Sequence, residues 1–266
     1  MDKLDHLAPL GICLSGGGAI GLAHIGVLQA LLENGLNFEV VSGTSMGAII
    51  GTLFAAGFTP EEMLKLIEQD RLYKVTKLLR FKPGFWKSGF STHMVVTDLL
   101  HELIPHNSFE GLPKKMHICV TNMSSMAWEI KDSGGNLAEW VTASSCIPGV
   151  FEAVEMDGQY YLDGGILNNF PTQPLAKSCR AVVGVDVLPY LPPKLMKRPI
   201  NAIVSTFRGI QHVNSRPGRD LCNHVIESYS LEHHHEFNFE SYLKIYRHGY
   251  KDAKEYIKNN PEILSL

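Results

Sequence analysis

Leu10-Gly11-Ile12-Cys13-Leu14-Ser15-Gly16-Gly17-Gly18-Ala19-Ile20-Gly21 is an apolar run that stops in a cluster of glycines. Leu10 to Leu14 shows no polar alternation, as expected of a parallel strand covered on both faces. Past the glycines, Leu22, Ile25, Leu28, Ala30 and Leu32 give the segment Gly21 to Leu32 one apolar side, and Gly35 offers a helix stop. The order then repeats. Phe38 to Val41 is a strand candidate, Gly43-Thr44-Ser45-Met46-Gly47 a turn, and Met46 to Ala56 a very apolar helix. Strand, glycine turn and helix, met twice in succession, predict an α/β fold.

The rest of the chain extends this pattern. Met116 to Thr121 and Ala181 to Val187 read as buried strands, Gln159 to Leu162 as a short strand and Leu137 to Ser144 as a helix. Phe239 to Lys258 closes the chain as a helix with Tyr242, Ile245, Tyr246, Tyr250 and Ile257 near one side. Strands alternating with helices predict a mostly parallel central sheet with helices on both faces, a three-layer α/β/α arrangement. With 266 residues, 45% hydrophobic and 19% charged, and no repeat or low-complexity linker, the expectation is a single domain over 1–266.

One stretch differs. Thr59-Pro60-Glu61-Glu62 is a helix-start signal, and between Arg71 and Phe90 stand six basic residues and no acidic one, interleaved with aromatic and aliphatic side chains. That mixture suits transient contact with an anionic membrane surface through 71–90, which makes 59–105 a candidate lid or interfacial insertion. The plainer reading is a solvated helix and loop over one sheet edge.

A formal charge of -3 carries no polyanion-binding signature, so nucleic acid is not an expected partner. The five cysteines are odd in number and form no C-x-x-C pair, which reads as reduced thiols in a cytoplasmic setting. No apolar stretch reaches bilayer-spanning length, and no charged start leads into an apolar segment. His233-His234-His235 lacks a second ligand cluster at metal-site spacing, so neither metal nor organic cofactor is expected.

The chemistry concentrates in three short motifs. Ser45, flanked by glycines between strand and helix, fits a nucleophile on a strained turn. Gly16, Gly17 and Gly18 open a helix, where backbone N–H groups without intrahelical partners can meet a developing oxyanion. Asp163-Gly164-Gly165 places a carboxylate on a tight turn at a strand end. Ligand sites in such sheets lie beyond the carboxyl ends of the strands, where all three motifs are expected.

Taken with Leu22 to Leu28, Ala143-Ser144-Ser145-Cys146-Ile147-Pro148-Gly149-Val150-Phe151 and Asn168-Asn169-Phe170-Pro171, these motifs make the chain resemble the patatin-like phospholipases, in particular their small bacterial cytoplasmic members. The resemblance implies a serine hydrolase of lipid or small esters with a Ser–Asp dyad and no catalytic histidine. Ser45 would attack the ester, Asp163 would take its proton, and Gly16, Gly17 and Gly18 would form the oxyanion hole. An ordinary aspartate titrates near 3.9, so the scheme requires surroundings that raise its proton affinity. Many family members carry arginine or lysine where this chain has Ile20, which makes neutral esters relatively better substrate candidates.

Two other readings make distinct demands. A Ser-His-Asp triad in an α/β-hydrolase would draw on Ser45, Asp186 and either His212 or His224. A nucleotide-binding module would cradle a pyrophosphate at Gly16 to Gly21 and meet a ribose with Glu39. A lipid-binding protein with the same fold but little turnover is a variant of the main reading. His24 is expected to be a packing partner on the first helix, and Cys146 a small core residue.

Overall fold

The computed structural model describes residues 8–69, 93–148, 150–189, 199–231, 233–234 and 239–266. Its centre is one sheet of eight strands: β1 (Leu10–Leu14), β2 (Val40–Gly43), β3 (Lys115–Asn122), β4 (Ala127–Lys131), β5 (Val154–Met156), β6 (Gln159–Asp163), β7 (Ala181–Asp186) and β8 (His224–Glu227). Hydrogen-bonded neighbours run β5-β6-β3-β2-β1-β7-β8, with β4 also on β3. The pairs β1–β2, β1–β7, β2–β3 and β7–β8 are parallel, whereas β4 and β6 run antiparallel to β3 and β5 antiparallel to β6. The mostly parallel α/β sheet expected from the sequence is present, with an antiparallel group at one side.

Side-chain alternation divides the core in two. On β1, Leu10, Ile12 and Leu14 face the larger apolar cluster, and Cys13 faces a smaller one with Val40, Phe170, Leu175 and Val182. The larger cluster lies under α1 (Ala23–Glu33), α2 (Met46–Ala55), α3 (Pro60–Glu68), α4 (His93–Leu103) and α5 (Leu137–Ser144). The smaller is covered by α6 (Gln173–Ser178) and the end of α7 (Pro199–Arg219). A Cβ on Gly11 would come within 2.9 Å of both Leu175 and Cys179, and one on Gly184 within 2.6 Å of Phe170, so this thin layer sits directly on the strands. The closing helix α8 (Tyr242–Asn259) packs on α1, with Gly26 against the backbone of Tyr246 and Tyr250 and Gly249 against Ala23.

The start of α3 follows its sequence signal: the Thr59 hydroxyl accepts from Glu62 N–H, and Glu62 accepts from Thr59 N–H. Met63, Leu66, Ile67, Val96, Leu99 and Leu100 are buried, so the described flanks of 59–105 belong to the core. The basic and aromatic stretch 71–90 lies outside the described residues.

Candidate active site

The convergence of the catalytic candidates follows from strand pairing. Ile118 pairs with Gly43 of β2 on one edge and Lys131 of β4 on the other, while Val120 pairs with Asp163 of β6 and Glu129 of β4. A strand has two edges, so β6 takes up the same edge of β3 that β2 leaves after Gly43. Asp163, the last residue of β6, is thereby brought beside the turn that carries Ser45. Thr121 Oγ1 donates to Asp163 O at 2.9 Å, and Asp163 N–H donates to Cys146 O at 3.0 Å, fixing the carboxylate's backbone on both sides.

Ser45 has φ 55° and ψ -123°, a sparsely populated conformation for a residue with a side chain. Its neighbours explain why it persists. A Cβ on Gly43 would meet the Gly47 carbonyl, and a Cβ on Gly47 would meet the carbonyls of Leu14 and Ser15, so only glycine lets this turn close against β1. Ser45 N–H donates to Ser144 Oγ at 2.9 Å, and Ser144 Oγ–H donates to Cys119 O at 2.7 Å. Thr44 Oγ1 donates to Asn168 O at 3.1 Å. The serine is only 4% exposed and stands at the N-terminus of α2, where the helix dipole favours negative charge.

Asp163 is buried, and its two carboxyl oxygens differ. Oδ1 accepts from Gly165 N–H at 2.7 Å, while Oδ2 has no hydrogen-bond partner among the described residues. Burial is the largest influence on the carboxyl and pushes it up to about 7, against the opposing pull of the Gly165 N–H and the Ser45 hydroxyl. The proton-affinity difficulty posed by an ordinary aspartate is therefore met by desolvation.

The glycine loop enters a 3-10 turn at Gly18–Leu22 before α1, three residues earlier than the helix start expected at Gly21. Gly16 lies against the site: a Cβ there would meet Asn169 Oδ1 and stand 3.3 Å from the Cβ of Ser45. Its N–H points to Asn169 O at 3.4 Å, whereas the N–H groups of Gly17 and Gly18 have no partner among the described residues. Gly18 has φ 54°, a left-handed conformation that favours glycine. His24 Nε2–H donates to Ser15 O at 2.8 Å under the loop, and burial lowers its pKa to about 4, which keeps the ring neutral. It supports the loop, in line with a packing role.

Residues without an assigned role in the sequence complete the site. Asn169 N–H donates to Asn214 Oδ1 at 2.8 Å, and Asn214 Nδ2 donates to the carbonyls of Gly165 and Ile166 at 3.0 and 3.1 Å. Gln211 Nε2 donates to Asn169 Oδ1 at 3.1 Å. Helix α7 thus ties the Asp163 turn to the loop that backs Gly16. Ser144 stands inside the quoted motif Ala143 to Phe151, but Gln211 and Asn214 lie in a segment without any motif.

The residues of the competing readings meet other partners among the described residues. Asp186 Oδ2 pairs with Arg219 Nη1 at 2.8 Å, and its Oδ1 accepts from Leu188 N–H at 3.0 Å. His224 Nδ1 meets Tyr256 OH at 3.2 Å, and His212 Nε2 meets Arg216 at 3.4 Å. The triad is corrected accordingly: an arginine holds the carboxylate it requires. The nucleotide reading fails at Glu39, whose carboxylate accepts from Leu10 N–H at 2.7 Å, at the opposite end of β1 from the glycine loop. Ile20 is 2% exposed in the larger core, so this position does not open toward a ligand. Cys146 is buried, and burial pushes its thiol up, as expected of a core cysteine. Among the described residues no group of three His, Cys, Asp or Glu is arranged to hold a metal, and no helix is long and apolar enough to cross a membrane.

Comparison with known proteins bears directly on this geometry. Residues 12–176, which contain β1, the glycine loop, Ser45 and Asp163, match the family model described as Patatin-like phospholipase. The chain belongs to that family. Among curated relatives, "Lysophospholipase NTE1" of Candida glabrata is 29% identical over 195 residues, covering 67% of this chain and 10% of the relative. An uncharacterized NTE family protein of Mycobacterium tuberculosis is 32% identical over 169 residues, covering 62% of this chain and 45% of the relative. The chain thus spans less than half the length of either relative. In fold, it is similar to VipD from Legionella pneumophila, with a TM-score of 0.54 at 17% identity, over 95% of this chain and 67% of that one.

Proposed function

We propose that the chain is a serine hydrolase that cleaves acyl esters of lipids through Ser45 and Asp163, within a single patatin-like domain. The observation that carries this reading is the unpartnered, buried Oδ2 of Asp163 beside a strained, buried Ser45. A buried acceptor without a donor is costly, and such sites mark groups kept for chemistry. Family membership and the lysophospholipase name of the Candida relative support a lipid ester as substrate.

In the reaction, Ser45 Oγ attacks the ester carbonyl carbon as its proton passes to Asp163 Oδ2. The carbonyl oxygen becomes an oxyanion held by the N–H groups of Gly17 and Gly18, with the α2 N-terminus adding favourable potential; each such donor contributes about 10²–10³ in turnover. Gly16, whose own N–H is directed at Asn169, serves the site by its lack of a side chain. Collapse of the tetrahedral intermediate breaks the ester C–O bond, and Asp163 returns the proton to the departing alcohol. Water then attacks the acyl-serine with Asp163 as base, releasing the fatty acid and restoring Ser45. A pKa near 7 suits a carboxyl that must accept and give back a proton in neutral solution.

The test is a panel of lysophospholipid, diacyl phospholipid and small neutral ester substrates, assayed with wild type, Ser45→Ala and Asp163→Asn. Loss of fatty-acid release in both variants, with unchanged near-UV circular dichroism, supports the mechanism. Full activity in Ser45→Ala would assign the chemistry elsewhere.

A further inference from the structure

Helix α7 has two faces with separate tasks. Its inner side carries Gln211 and Asn214, which hold the Asp163 turn and Asn169. Its outer side exposes Thr206, Ile210, Val213 and Pro217, residues that recur at helical spacing, with Arg216 and Gly209 on one flank. Ile210 is 43% and Val213 62% exposed, and open space lies above Gly209. Ile210, Val213 and Pro217 thus form a short apolar stripe in water, which a partner surface could cover.

Charge identifies the partner. The helix carries Arg208, Arg216 and Arg219 and no acidic residue in its 21 positions. The sequence has no Asp or Glu anywhere between Asp186 and Asp220. Arg219 is met by Asp186 and Glu227, and Asp220 follows the helix end, but Arg216, one turn from Val213 and 3.4 Å from His212, is exposed at the flank of the apolar stripe. An exposed apolar stripe flanked by arginine, without acids, matches a helix lying in the interface of a negatively charged bilayer.

We infer that the outer face of α7, centred on Ile210 and Val213 with Arg216 at its side, docks on anionic phospholipid bilayers. The inference rests on the lipid-ester reading above and adds where the enzyme meets its substrate phase. Docking on this face sets the membrane against the helix whose other side braces the Asp163 turn. A second copy of the chain is the competing occupant, and the stripe is only one helix wide with a cation on its flank.

The experiment measures flotation of the full chain with phosphatidylglycerol vesicles and with phosphatidylcholine vesicles, for wild type, Ile210→Glu/Val213→Glu and Arg216→Glu. The double variant removes the two aliphatic side chains that the bilayer would bury and sets two negative charges against an anionic surface. Affinity for phosphatidylglycerol vesicles is therefore expected to fall at least about tenfold in the double variant, with melting and hydrolysis of a small soluble ester unchanged. Arg216→Glu is expected to weaken binding to phosphatidylglycerol alone. Equal flotation of wild type and double variant, absence of wild-type binding, or equal binding to both lipids would overturn the inference. So would a wild-type dimer in sedimentation that the double substitution disperses, since the face would then be a self-interface. Flotation is repeated with Ser45→Ala protein: soluble-ester turnover retained in this variant counts against the proposed reaction, and absent flotation counts against the docking face.

Discussion

Gly43 and Asp163 lie on the same edge of β3, opposite Ile118 and Val120, so the last residue of an antiparallel strand adjoins the turn leaving a parallel one. In the reaction proposed above, this placement is what would let a carboxylate distant in sequence act on Ser45 without a third residue between them. It also buries the carboxylate under Cys119, Cys146 and the Gly164–Ile166 turn, which sets its acidity.

The pH dependence of hydrolysis follows from that burial. In the proposed reaction Asp163 must be ionised to accept the Ser45 proton, and burial pushes its pKa up to about 7. The value of kcat/KM for a soluble ester is therefore expected to rise about tenfold per pH unit below 7 and to level off above it. A pH–rate profile between pH 5 and 9 checks this, and a profile flat down to pH 5 would remove Asp163 as the base.

The same shift predicts that function is held at a cost in stability. A carboxyl whose pKa is raised on folding leaves stability intact below the unfolded value of about 3.9 and erodes it as pH rises through about 7. Asp163→Asn removes that titration and keeps an oxygen acceptor for Gly165 N–H. The variant is expected to be inactive yet to melt higher than wild type at pH 8, by roughly 2–4 °C for each kcal/mol relieved, with a smaller gain at pH 5. Melting curves at the two pH values settle the matter, and a lower Tm at pH 8 would contradict it.

The strand-turn-helix repeat was legible because Leu10 to Leu14 and Val40 to Gly43 are covered on both faces and their glycines have steric reasons to be there. Helix α7 was not. Its outer face exposes Ile210 and Val213, its inner face is polar with Gln211 and Asn214, and Pro217 and Gly209 interrupt it, so no simple apolar period appears. Strands β4, β5 and β8 are short or half-exposed and carry weak signals of their own. Asp163 could be named from its turn. Its burial depends on β6 taking the edge of β3 vacated by β2, a long-range pairing that local sequence does not encode.

Asp186 supplies a contrast between a structural and a catalytic carboxylate. It is 2% exposed and held by Arg219, so Arg219→Met leaves a buried acid without its counterion. The expected loss is about 1–3 kcal/mol, at the low end for such pairs because Arg219 is partly exposed. Without the arginine the Asp186 pKa rises further, so the deficit is larger at pH 8 than at pH 5. Denaturant titration at both pH values tests the sign. His212→Ala/His224→Ala, assayed on the same soluble ester, should retain wild-type kcat within about twofold, and a fall of about 10³ or more in a folded variant would restore the histidine triad.

Ile20 stands where many family members carry a cation, and its burial decides what an arginine there would do. Its side chain is 2% exposed among the core residues over β1. Arg at this place would have to bury its guanidinium without a partner or unwind the 3-10 turn that presents Gly17 and Gly18. Burying an uncompensated charge costs about 3–5 kcal/mol. Ile20→Arg is therefore expected to lower Tm by several degrees and to reduce hydrolysis of neutral and phosphate-bearing esters alike, because the damage falls on the loop proposed to hold the oxyanion. A variant with wild-type Tm and selectively improved turnover of an anionic phospholipid would show that the arginine reaches the site, and the loop would then have a second stable arrangement.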